Sequence, residues 1–378
     1  MLAAQLRSLA EIAQCCMMVS DGVCTLMDQA TAQTALSQMA KAIIVNGEMQ
    51  QDLDVLAEAC NFLEAVGGQH AEVIENAVFA LGDESGESET NMIGVFRELA
   101  QVGGPGETEP LIFSVMCLIN TLLKTIPSFN GEHSLSDLLR IVVPCCSYKS
   151  PNMTVTKDWA SDIQRTSLEG LGLCAQAACR ASQTDRNIFF TLWQSFGVWN
   201  VLYGLISDGS DSATQTNAMC ALATAIDIPE QSFDQTQQNE ALDQLFSHLP
   251  IKAESMGQGL QVYDRLCSLA EGKSDLVTSN VAKWVPLYIK TFENVFEDKF
   301  VETVPGDVYF ETLADRAQDC LIPSLCSLVA NSRLQPGRIR DMATSLQRLA
   351  ETVGRVQAVQ GANHCRDDTD MEGYDGDD

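Results

Sequence analysis

The sequence predicts an all-α protein: about fifteen helices alternate with short turns and fall into pairs. Three observations carry this. Apolar residues recur at spacings of three and four, as in Leu2, Leu6, Leu9, Ile12 and Cys16, which is the period of one helix face. Aromatic residues make up only 6% of the chain, while Ala, Leu, Gln and Ser are abundant, and this composition favours helix over sheet. Gly, Pro, Asn and Asp punctuate the periodic segments where helices stop. No segment reads as a strand. A helix pair cannot bury its own apolar face, so each pair needs similar pairs beside it.

Taken in order, helices are expected over 1–19 and on to Val45, with Asp21-Gly22 and Asn46-Gly47 as breaks. Glu48 to Val66 follows, with Leu53, Leu56, Cys60 and Leu63 on one stripe, and then a short helix from His70 to Leu81. The acidic stretch GDESGESET (82–90) has no core-forming pattern and is expected to be a mobile loop. Helix 91–102 is separated by GGPGETEP from 111–126, LIFSVMCLINTLLKTI, which is apolar nearly all round and so predicts burial by several neighbours. Glu132 to Val143 is closed by Pro144, and 145–156 is read as an irregular connection. A long helix then runs to Ala181.

The stretch Arg186–Ile226 reads as an aromatic helix, a Gly/Ser/Asp turn and a partner helix rich in small residues. Segments 237–248 and 256–270 form a further pair. Beyond Asp275 a helix is expected in which Pro286 either kinks or splits the run, and Pro323 stands in the same position within 307–330. A final helix runs to about Val359. The repeat array is thus expected over 1–362 and a disordered acidic tail over 363–378, where RDDTDMEGYDGDD carries seven acids in thirteen residues.

The charge is lopsided: 51 Asp and Glu against 23 Lys and Arg, net −28, with a pI near 4.3. Such a surface repels nucleic acid and anionic membrane, so direct nucleic-acid binding is excluded and a basic protein partner is favoured, or simply solubility. The fourteen cysteines sit mostly inside apolar helical runs, as free thiols do when used as small hydrophobes. With no CxxC pair and four histidines, a zinc module is not expected. No signal peptide or membrane span is read, so a reducing compartment, cytosol or nucleus, is expected.

Asn76-Ala77-Val78-Phe79-Ala80-Leu81 matches Asn217-Ala218-Met219-Cys220-Ala221-Leu222 in four of six positions, 141 residues apart. That separation is three times 47, close to the roughly 40–47 residues of HEAT or armadillo repeats. Small residues once per turn let stacked helices approach closely. Gly197 to Ile226 resembles an armadillo repeat. Gly197 stands at the turn into its middle helix, Leu202, Leu205 and Ile206 fill apolar positions, and Asn217-Ala218 and Ala221-Leu222 carry the third helix. Residues 75–83 are similar to the same third helix. The period is irregular, and Gly204 departs from the pattern. The resemblance implies a right-handed α-solenoid that binds proteins along its surface, a non-catalytic scaffold or adaptor. An acidic array is also similar to nuclear transport receptors that carry basic cargo, and 111–127 to the armadillo helices of formin regulatory domains.

No catalytic, cofactor or metal site is expected. His364-Cys365 lacks an orienting third group. The vicinal pairs Cys15-Cys16 and Cys145-Cys146 read as buried packing. The acids between Glu293 and Asp319 scatter over several turns, and Gly103-Gly104-Pro105-Gly106 lacks the Lys-Ser/Thr of a phosphate loop. Trp193, Trp199, Tyr203 and Phe196 have core spacing. Trp193, Trp199 and Tyr203 are the candidate partner-binding residues should they face outward, since Trp and Tyr are enriched at hot spots.

Overall fold

The computed structural model describes residues 53–67, 109–125, 134–149, 159–208, 211–226, 235–251, 256–272, 275–296 and 308–370. Every regular element among them is helical. The chain divides into two compact units, Met1–Asp208 and Gly209–Asp378. Residues 70–81, with their repeat match, and the acidic loop 82–90 lie outside the described residues.

The first unit contains α1 (Leu53–Gly67), α2 (Glu109–Thr125), α3 (Ser134–Cys146), α4 (Trp159–Arg180), α5 (Gln183–Ser195) and α6 (Val198–Asp208). As its composition predicts, α2 is buried nearly all round, through Leu111, Ile112, Val115, Met116, Leu118, Ile119, Leu122 and Leu123. Both α1 and α4 pack on it. In turn α4 packs on α3 and α5, and α3 on α5. From α2 onward, the described helices of this unit touch the next or the next but one.

Two boundaries depart from the sequence reading. Pro144 lies inside α3, which continues to Cys146. A proline so near a C-terminus forfeits one bond, to the carbonyl of Arg140 on an exposed part of the helix, and so does not end it. Cys145 and Cys146 therefore belong to a helix, and Ser147 to Lys149 form the described start of the connection.

The aromatic helix expected after Arg186 is in fact two. It starts earlier, at Gln183, because Ser182 Oγ caps the Asp185 N–H at 3.2 Å and reaches the Asp185 carboxylate at 2.6 Å. It breaks at Gly197, whose φ of 60° is left-handed. Across that break Trp193 and Trp199 meet edge to face, with ring centroids 5.5 Å apart.

The second unit contains α7 (Ser212–Ile226), α8 (Gln235–Ser247), α9 (Met256–Glu271), α10 (Asp275–Thr278), α11 (Val281–Phe296), α12 (Val308–Arg316), a π-helical turn (Ala317–Leu321), α13 (Ile322–Ala330) and α14 (Pro336–Asp370). The Asp211 carboxylate caps α7 by accepting from the Ala213 and Thr214 N–H groups and the Thr214 hydroxyl. The small-residue face is real here. Ala218, Ala221 and Leu222 are all buried, and α7 packs on both α8 and α9.

Neither internal proline splits its helix. The break falls at Ser279-Asn280, where the Asn280 carbonyl accepts from the Lys283 and Trp284 N–H groups and opens α11, while Pro286 sits on that helix's exposed side. Pro323 follows the π-turn. There the Ile322 N–H reaches back five residues to the Ala317 carbonyl, and the wider turn relieves the clash that a proline imposes on the carbonyl four residues before it. The core is aromatic: Trp284, Tyr288 and Phe292 are fully buried, with Phe246 stacked on Trp284. Tyr288 donates its hydroxyl to the Leu266 carbonyl at 3.1 Å, and the Ile251 N–H donates to the Tyr263 hydroxyl at 3.0 Å.

The last helix is longer than its apolar period suggests. The backbone of α14 is helical to Asp370, past Val359 and into the stretch expected to be a disordered tail. Within 359–370 only Gln360, Ala362 and Arg366 are strong helix formers, so local propensity alone does not predict this extension.

Candidate functional site

The candidate partner-binding residues divide by burial. Trp193 is 0% and Trp199 6% exposed, so both are core residues and neither is an accessible anchor. Tyr203 is half-buried and stacks on Trp199 at 6.4 Å. The outward side of α5 instead shows Ile188, 41% exposed, and Phe196, 37% exposed, although Phe196 shares the core spacing. The turn at Gly197 explains this. It redirects the chain into α6, so Trp199 returns to Trp193 while Phe196, at the end of α5, faces away.

The vicinal thiols are inert by environment. Burial pushes Cys145 up to about 12, against a partial opposing effect of its hydrogen bond with Ser167. Cys146 is raised well above the ordinary thiol range, again by burial, and Cys174 to about 12 for the same reason. A nucleophilic or redox-active cysteine needs the opposite, a stabilised thiolate. All ten described cysteines are free thiols. Cys15-Cys16 and Gly103–Gly106 lie outside the described residues. Of His364-Cys365 only the helical backbone is described.

Of the scattered acids, Glu297, Asp298, Glu302 and Asp307 lie outside the described residues, and the described ones do not converge. Glu293 sits on α11, while Asp315 on α12 accepts from the Gln357 amide at 2.7 Å. Among the described residues no group of three or more His, Cys, Asp or Glu could hold a metal ion. No described helix is long and apolar enough to cross a membrane.

What the sequence reading missed is a groove between α11 and α14, two helices that pack together. It has two sections that share Glu293. One, of about 420 Å³, has an apolar floor of Pro286, Ile289 and Met342 below Lys290, Arg338 and Asp341. The other, of about 920 Å³, lies along α14 and is lined by Arg348, Glu351, Thr352 and Arg355, with Glu293 its one described residue from α11. The apolar floor exists because Pro286 projects from the exposed side of α11 opposite Met342, which is 9% exposed. The upper walls exist because the inner face of α14 is taken by Leu346, Leu349, Val353 and Val356, which leaves its arginines outward. The signal was in the sequence: Arg348 and Arg355, seven residues apart, share one helix face. It was masked by an overall charge of the other sign.

A second charged cluster has a structural role. Arg316 donates to Asp264, to Glu271 at 3.1 Å and to Ser268 at 2.8 Å, and so ties α12 to α9. Those two carboxylates hold the guanidinium more firmly charged than usual despite partial burial. No protein-family model matches the chain, and no curated protein matches it either.

Proposed function

We propose that this protein is a non-catalytic interaction scaffold or adaptor, built as a HEAT- or armadillo-like solenoid and working in a reducing compartment, cytosol or nucleus. The observation that carries the reading is the α11–α14 groove. Its two open sections, which share Glu293, lie along about 30 Å of α14 between Arg338 and Ala358 and combine an apolar floor with charged walls. Small-molecule sites bury most of their ligand, whereas an open groove beside a helix suits a segment of another chain. The packing of α3 on α4 and α5, and of α7 on α8 and α9, supports the solenoid reading.

The net charge of −28 adds long-range attraction for a basic partner, away from the groove. Calorimetry of the full chain against a synthetic Lys/Arg-rich helical peptide tests this. Binding that weakens steeply between low and high salt is the expected result. Failure to bind at low salt, or affinity indifferent to ionic strength, would remove the basic-partner reading.

A further inference from the structure

We draw no further inference here: the strongest candidate, the part-exposed apolar stripe of Ile188, Leu192 and Phe196 along the outward side of α5, is a helix face for which nothing in the structure shows what covers it.

Discussion

Gly170 and Asn120 stand so close where α4 meets α2 that a Cβ on the glycine would lie 2.5 Å from Asn120 Oδ1. Asn120 is 4% exposed and is held there, its amide donating to the Thr166 carbonyl at 2.9 Å and to Glu169 at 3.3 Å. Glycine at 170 is what allows a buried amide to be the contact between two helices. Gly170→Ala is expected to cost about 1–3 kcal/mol by overpacking. Denaturant melts of Gly170→Ala, Asn120→Ala and the double variant check this. Coupling between the two, with Asn120→Ala relieving part of the alanine's cost, is the expected pattern.

Trp193 and Trp199 are one packing unit that bridges the Gly197 turn. Trp193→Ala and Trp199→Ala should each destabilise by about 3–5 kcal/mol, whereas the part-exposed Phe196→Ser and Ile188→Ser should cost less, about 1–2 kcal/mol. Thermal melts of the four variants decide it. A melting temperature unmoved by Trp199→Ala would contradict its burial.

Gly197 holds a φ of 60° that other residues adopt at a cost. Gly197→Ala is expected to lose about 1–2 kcal/mol, and Gly197→Asn less, because asparagine tolerates the left-handed region. Equal losses in urea melts would point to a steric cause in place of a backbone one.

Arg316 joins α12 to α9 through two carboxylates and a hydroxyl. Arg316→Ala should cost about 1–3 kcal/mol, as expected for charge-assisted hydrogen bonds at a partly buried site. Arg316→Lys should recover little of it, since an ammonium cannot span both carboxylates as the guanidinium fork does. The comparison is read from chemical denaturation at low and high salt, where the difference should shrink only in part.

Buried thiols set an alkaline limit. Cys145 and Cys174 have folded-state values near 12 against an ordinary 9.0. The folded chain keeps protons that the unfolded chain releases, so the stability they contribute is full below about 9 and is lost as pH rises toward 12. Melting temperature should fall across that window, and Cys145→Ala/Cys174→Ala should flatten the fall. Among the described cysteines, thiol labelling at pH 8 should reach exposed Cys326 first and the buried ones last.

Local rules account for the features legible in the sequence. The periodic run 111–126 announced its own burial, because a helix apolar on every face has nowhere to go but between others. The bounds of α9 were readable from punctuation, and the thiols from their apolar surroundings. Long-range geometry decided the rest. Whether Trp199 is core or anchor depends on the direction of the chain after Gly197, which spacing within one helix does not encode. Whether Pro286 or Asn280 breaks a helix depends on which carbonyls can stay exposed, and Pro323 is accommodated by a π-turn that has no sequence signature. The groove is the clearest case. Helical spacing alone puts Arg348 and Arg355 on one face of α14, but only the packing of α14 against α11 sets them beside Glu293, along a wall above an apolar floor. Composition determines the sign of the whole molecule's field; the tertiary structure determines which charged side chains stand together.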